Sequence, residues 1–304
     1  MKEKTRVSED ETAACFAAEM PSSNPSCDCA ASLREIADLL QSQGADAYRV
    51  ATYRKAADVI GAMDPATIVS LVDEAGADGL DRLPHIGRGI AATIVEMVRT
   101  GHCSQLERLR GTSDPVQLFT VVPGLGHRLA ERIYEELHID TLDGLVLAAR
   151  DGRLENVPGV GPRRAATIRA NLYAMLGCDR SRGNAPPDGP VPGVRLVLGI
   201  DRAYREKGSA GTLSMIAPTR FNPSGEAWVP VMHCERDGWQ FTALYSNTAQ
   251  AHQLNRTRDW VLVFHYDSEG TEGLHTVVTE THGPLQGKRV VRGREAECRE
   301  YYAG

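Results

Sequence analysis

Lysine is scarce in this chain. Only five of the 34 basic residues are lysines (Lys2, Lys4, Lys55, Lys207 and Lys288), and Lys55 stands alone between residues 5 and 206. Chemistry that needs a free amine, such as Schiff-base formation, therefore has a single candidate over most of the chain. A basic domain is also lacking. Residues 1–29 carry 3 basic and 6 acidic groups, residues 30–180 carry 17 and 20, and residues 181–304 carry 14 and 14. With a formal charge of −6, net charge gives no electrostatic capture of a polyanion, which grows with the number of Lys and Arg contacts. No apolar run approaches the roughly 20 residues that cross a bilayer, so no membrane partner is expected. The seven cysteines include no CxxC pair and follow no secretory signal. Cys27-Asp28-Cys29 has no second Cys/His pair at metal-binding spacing, so no metal site is read there. A reducing, cytoplasmic setting is expected.

What is present is ordinary globular composition, 42% hydrophobic and 24% charged, in a length that fits two or three domains. Residues 1–29 mix acidic, Ser, Pro and small residues without apolar periodicity and read as a disordered tail. From Ala31, a helical face of Leu33, Ile36, Ala37, Leu39 and Leu40 runs to Gly44. Further helices are expected over 48–60 and from Pro65 to about Glu74, and the chain reads as helical to residue 176. Residues 179–193 are dense in Pro and Gly and mark a linker. Beyond it, short β-branched and aromatic runs at 227–232, 239–245, 260–264, 275–279 and 289–291 read as strands, with a turn at Asp237-Gly238 and helices near 201–207 and 294–302. The fold class is thus multidomain α+β, an all-α first half followed by a strand-rich α+β domain at 194–304.

The helical half repeats itself. Val122-Pro123-Gly124-Leu125-Gly126-His127-Arg128 recurs as Val157-Pro158-Gly159-Val160-Gly161-Pro162-Arg163-Arg164, and an imperfect copy precedes both, Leu83-Pro84-His85-Ile86-Gly87-Arg88-Gly89. Each copy opens an amphipathic helix. Bare backbone N–H groups at a helix start, with about half a positive charge from the aligned peptides, suit phosphate. They add nothing to the formal charge, so an acidic protein can still hold a polyanion this way. No strand precedes the glycines, which excludes a dinucleotide-binding reading.

On these residues the chain resembles a known family. Tyr53-Arg54-Lys55-Ala56-Ala57, the first copy running into Ile90-Ala91-Ala92, Thr100-Gly101, and the two later Pro-Gly-x-Gly turns are similar to the lyase and fingers-side helical domains of bacterial family X DNA polymerases. The resemblance covers residues 31–176. It implies a lyase-like helical domain at 30–110, a tandem helix-hairpin-helix domain at 111–178, and binding of gapped, nicked or branched DNA in repair. Contact would be through the sugar-phosphate backbone, independent of sequence. The implied contacts are Gly87, Arg88, Gly89, Gly124, Gly126, Arg128, Gly159, Gly161, Arg163 and Arg164, with Arg54 and Lys55 on the second helix. The resemblance also implies a monovalent cation held by hairpin carbonyls and no other cofactor. A bacterial protein of this kind would be nucleoid-associated.

The departures are specific. Thr93 stands where the family's lyase domain carries its Schiff-base lysine, and Thr cannot form an iminium; Lys55 is the one substitute. His85 occupies a usual glycine position. No Gly-Ser…Asp-x-Asp setting for two metals occurs, which argues against nucleotide transfer. Residues 194–304 resemble no family of known function, and His233, His252, His265, His275, His282 and Glu280 are too dispersed to read as a metal site. Lys288, Arg289, Arg292 and Arg294 read either as a phosphate patch or as a solvated mixed-charge surface. The leading reading is a DNA-binding protein without catalysis. The alternatives are a nuclease or lyase with its chemistry in the second half, and a protein-interaction module.

Overall fold

The computed structural model describes residues 25–176 and 191–304, apart from residue 269. The expected tail lies outside the described residues up to 24, and most of the expected linker lies outside them as well. The first half is helical: α1 (Pro25–Ser42), α2 (Ala47–Gly61), α3 (Pro65–Leu80), α4 (Arg88–Thr100), α5 (Ser104–Arg110), α6 (Pro115–Thr120), α7 (His127–Leu137), α8 (Leu142–Arg150) and α9 (Pro162–Leu176). Helix α1 begins within the expected tail, and Cys29 and Ala30, 2% exposed each, already belong to the core. That burial extends the helix in front of Ala31.

Local chemistry explains four of these nine helix starts. Asp46 accepts from the amides of Tyr48 and Arg49 to cap α2, Asp64 from Ala66 ahead of Pro65 in α3, Asp114 from Gln117 ahead of Pro115 in α6, and Thr141 from Gly144 in α8. These oxygens satisfy amides that have no partner inside the helix. Helix α3 runs past the expected Glu74 because Gly76 takes φ 56° and ψ −139°, a kink after which the helix resumes. One continuous core from Cys29 to Leu176 joins all nine helices, across the division expected at 110/111.

The second half opens with α10 (Val194–Ser209) and closes with α12 (Glu295–Ala303), enclosing strands β1 (Ser214–Ile216), β2 (Val229–Arg236), β3 (Trp239–Tyr245), β4 (Val261–Tyr266), β5 (Glu272–Thr279) and β6 (Arg289–Val291), with short helix α11 (Ala249–Gln253) between β3 and β4. The strands form one antiparallel meander in sequence order. Asp237 and Gly238, φ 52° and 76°, make the tight β2–β3 turn, the geometry that matches strand twist. Val261 and Val263 pack in the core with α10, whereas Leu262, Phe264 and Tyr266 form a separate cluster with Leu244 and Leu274. Strand β4 is buried throughout, which accounts for its unbroken apolar run in place of alternation.

The second cluster faces the helical half, and the contact is polar at its centre. Arg108 of α5, 5% exposed, donates to both carboxylate oxygens of Asp140 at 2.7 and 2.9 Å, to both of Glu272 at 2.8 and 3.0 Å, and to the Tyr266 hydroxyl at 3.2 Å. These five bonds use the whole donor fork of a guanidinium, and the group also lies 3.7 Å from the Phe264 ring centre. Burial pushes the Glu272 carboxyl up, but the Arg108 charge and hydrogen bonds more than offset it and hold the group below its ordinary value. Around this centre Arg49 donates to Thr242 at 3.2 Å and covers the Tyr266 ring at 4.2 Å. His233 bridges Gln43 and Thr242 at 2.9 and 3.0 Å. Burial, with Arg49 adding, lowers His233 to about 3, so the ring is neutral there. Glu135 of α7 accepts from the Ala249 and Gln250 amides that start α11, at 2.9 and 2.8 Å.

Removing Arg108 leaves two carboxylates in the interface without their cation. Arg108→Met is expected to destabilise the protein by about 3–5 kcal/mol, the usual cost of breaking a buried ion pair from one side. Arg108→Lys recovers little of it because an ammonium cannot fill a planar fork. Urea unfolding of the full chain measures this; a loss below about 1 kcal/mol, the range of an exposed pair, contradicts it.

Candidate nucleic-acid interface

The three repeats form the same turn. In the second, the Leu125 amide donates to the Val122 carbonyl at 3.0 Å across Pro123 and Gly124, and in the third Val160 donates to Val157 at 2.9 Å across Pro158 and Gly159. Gly124 and Gly159 both have φ 89°, the left-handed third position of a type II turn that follows proline. In the first repeat Ile86 donates to Leu83 at 3.3 Å, and His85 takes φ 64° in place of glycine. The turn is therefore kept at the cost of a left-handed histidine.

The glycine that follows each turn is a different case. Gly126 starts α7 with φ −78° and ψ 161°, extended backbone open to any residue, and no side chain caps the helix. Gly161, directly before α9, is likewise outside the left-handed region. Among the described residues, a Cβ added to either would meet no atom within 4 Å. Nothing among them explains these glycines, since a Ser or Asp there would cap the helix and restrict the unfolded chain. Both lie exposed beside the exposed Arg128, Arg163 and Arg164. Arg128 and Arg163 form no ion pair within the described residues, whereas Arg164 donates to the carbonyl of Gly159 at 2.8 Å and so braces its own turn.

Two side chains hold these hairpins together. Arg132 of α7 donates to the Pro158 carbonyl of the third turn at 2.7 Å, and Asn171 of α9 donates to the Pro123 carbonyl of the second at 2.7 Å. Each long helix thus reaches the other's turn. Sequence reading missed both residues; the signal was a polar residue on each hairpin helix beyond the repeated motif.

The first hairpin is placed differently. Gly89 occupies the position that holds Arg128 and Arg163 in the other copies. A Cβ on it would lie 2.0 Å from the Gly270 carbonyl oxygen, because the β4–β5 loop sits directly on the first turn of α4. Gly89 packs between the two halves in this arrangement, whereas the Cβ position of Gly126 is open. Its neighbour Thr93 is buried, and its hydroxyl donates to the Gly89 carbonyl at 3.0 Å. Thr93 lines a cavity of about 310 Å³ shared with Tyr53, Gln105, Phe264, Tyr266 and Thr271, closed on one side by the sheet. Tyr53 points into this cavity from α2, so Lys55, two residues and about 200° further round the helix, faces away into solvent. Arg54 is tied to α1 through Asp38 at 3.1 Å and Gln41 at 2.6 Å. Neither joins the hairpins.

The histidines of the second half do not gather into one site. His252 bonds Asn247 at 2.7 Å beside Phe221, His265 stacks on His275 at 4.9 Å, and His282 bonds Thr281 at 2.7 Å. Glu280 pairs with Arg292 at 2.9 Å. Of the basic cluster, Arg289 is committed to Asp201 and Asp259 at 2.6 and 2.7 Å, and Arg294 to Glu297 at 2.6 Å. Among the described residues no group of three His, Cys, Asp or Glu could hold a metal, and no helix is long and apolar enough to cross a membrane.

Paired helices joined by short Pro-containing turns, two of the pairs braced side by side, define a tandem helix-hairpin-helix architecture. Residues 24–103 match the helix-hairpin-helix domain family, and residues 116–172 match the SAM-like helix-hairpin-helix tandem. The helix-hairpin-helix region is also similar to DNA-directed DNA/RNA polymerase mu of Homo sapiens, a family X polymerase, at 32% identity over 99 residues. The match covers 32% of this chain and 18% of that protein, so the chain spans under a fifth of its length.

His85→Gly tests the strained turn. The left-handed region costs a side-chain-bearing residue about 1–2 kcal/mol, partly offset by the larger freedom that glycine loses on folding. A net gain of up to about 1 kcal/mol is expected, read as a higher midpoint of thermal unfolding. A lower midpoint would show that the imidazole makes a contact worth more than the strain.

Proposed function

We propose that this protein binds DNA through the second and third hairpins, at the sugar-phosphate backbone and without base readout, and that it acts on gapped, nicked or branched DNA in repair. The observation that carries the reading is the pair of uncapped, exposed helix starts at Gly126 and Gly161, where a Cβ would meet no atom of the protein. Such sites present bare amides and the positive end of a helix to an anion that approaches closely. Arg128 and Arg163 add charge beside them. The first hairpin has the matching turn, exposed at Pro84 and His85, but the first turn of its helix meets the β4–β5 loop at Gly89, so the close approach open at Gly126 and Gly161 is obstructed there.

A monovalent cation, if one accompanies the DNA, belongs at the second hairpin. Its Pro123 carbonyl meets the neutral amide of Asn171, whereas the third turn already has the guanidinium of Arg132 on Pro158 and that of Arg164 on Gly159. A further cation there would be repelled.

The test separates binding from folding. Gly126→Ser and Gly161→Ser each supply the missing cap, so the unfolding temperature stays level or rises slightly, while the added side chain keeps the backbone of DNA away. Each is expected to weaken binding to a labelled gapped duplex about tenfold, the loss of one charge-assisted hydrogen bond. Arg128→Ala costs less, since one Arg among several phosphate contacts is worth little more than about 1 kcal/mol. Serine variants that fold and bind as the parent does would remove the hairpins as the site and favour a protein-interaction role.

A further inference from the structure

A second candidate site lies away from the hairpin turns. A cleft of about 680 Å³ opens between the C-terminal end of α7, the segment after α11 and the β5–β6 edge of the sheet, a size usual for small-molecule sites. Helix α7 is 11 residues long, so the cleft lies roughly 16 Å along the helix from Gly126. Three arginines line it, Arg153, Arg256 and Arg292, with Glu136 as the one carboxylate among the lining residues. Each guanidinium is oriented by a carboxylate: Asp151 at 2.7 Å, Asp259 at 3.6 Å and Glu280 at 2.9 Å respectively. Their side chains remain 41–45% exposed, with most of their five N–H donors unused.

The inner wall is of another kind. Trp260, Leu254, Leu274 and Val278 supply flat and apolar surface. Three imidazoles border the same cleft, those of His138, whose ring meets Trp260 edge-on at 5.3 Å, His275 and the exposed His282. The first two are largely buried. Burial lowers them to about 4 and about 3, so both are neutral at physiological pH. Among the described residues the buried Nδ1 of His138 and Nε2 of His275 have no hydrogen-bond partner. Both atoms are shielded from the open cleft, so a ligand meets them only once the rings turn toward it; leaving them unmatched is costly, which favours that turn.

We propose that this cleft binds a nucleoside monophosphate, with its phosphate at Arg256 and Arg292 and its base against Trp260 within reach of the two neutral imidazoles. An anion alone would use the arginines and leave the imidazoles and the apolar wall unmatched. A neutral heterocycle would do the reverse. The sheet half that supplies most of the lining lies outside the residues matched to helix-hairpin-helix families, and the proposal does not rest on DNA binding by the hairpins. The shared chemistry fits a free mononucleotide or the terminal nucleotide of a strand.

Intrinsic tryptophan fluorescence of the full chain, titrated with 2′-deoxyadenosine 5′-monophosphate, adenosine and inorganic phosphate, tests it. The monophosphate is expected to give a saturable change at millimolar concentration or below, with adenosine and phosphate each at least about tenfold weaker. Arg256→Gln and Arg292→Gln, at half-exposed positions that leave the core intact, each weaken it about tenfold, the loss of one charge-assisted contact. Gly126→Ser leaves it unchanged, which separates this site from the hairpins. In the Gly126→Ser/Gly161→Ser protein, a 5′-phosphorylated oligonucleotide that displaces the monophosphate identifies a strand end as the source, and one that does not identifies a free nucleotide. The proposal is overturned by no saturable change at millimolar monophosphate, by phosphate binding as tightly as the monophosphate, or by folded arginine variants that bind normally.

Discussion

A single guanidinium at the join of the two halves fixes how they sit. Arg108 gives all five of its N–H groups to Asp140 of the helical half and to Glu272 and Tyr266 of the sheet. Such a network tolerates little movement, because any shift strands a buried charge. Hydrophobic contact alone, as in the Leu262, Phe264 and Tyr266 cluster, would accept several arrangements at similar energy. The β4–β5 loop that ends at Glu272 is thereby pressed onto α4, and Gly270 comes so close to Gly89 that neither side of the contact has room for a side chain at Gly89. The packing at the first turn of α4 thus adjoins the ion network of a different helix.

Three copies of one turn therefore carry different duties. The first glycine of the second and third copies is required by the left-handed backbone, and His85 shows that the requirement can be overridden. The second glycine, Gly126 or Gly161, has no internal requirement at all. A residue that loses stability without a structural reason points to something outside the chain. A net charge of −6 is then no objection to the proposed contact, in which backbone amides would do the work that lysines do elsewhere. The same arrangement leaves the far end of α7 free to form a cleft with the sheet, where arginines and neutral imidazoles meet.

Much of the fold was legible because local signals agreed with the tertiary structure. The apolar face of α1, the proline at the start of α3, the Asp237-Gly238 turn and the unbroken run of β4 all name their elements directly. The two exposed hairpins were legible for the same reason, since a turn motif is local. The start of α1 was not, because residues before Ala31 have no apolar period and are fixed by packing. Strand β1 is three residues long and α11 five, too short for a periodic pattern. Least legible was the interface. Arg108 reads as an ordinary helix-surface arginine, and Glu272 lies 164 residues away. For the same reason the packing of Gly89 against a glycine of the other half, and the pairing of Arg54 with α1, were not legible.

The central claim is that the second and third hairpins meet DNA while the first is obstructed by the β4–β5 loop at Gly89. Backbone amide hydrogen exchange of the full chain, with and without a gapped duplex, reads all three turns at once. Added protection over 122–130 and 157–165, with none over 83–91, is the result expected. Protection gained at 83–91, or at none of the three turns while the duplex is bound, would contradict the account.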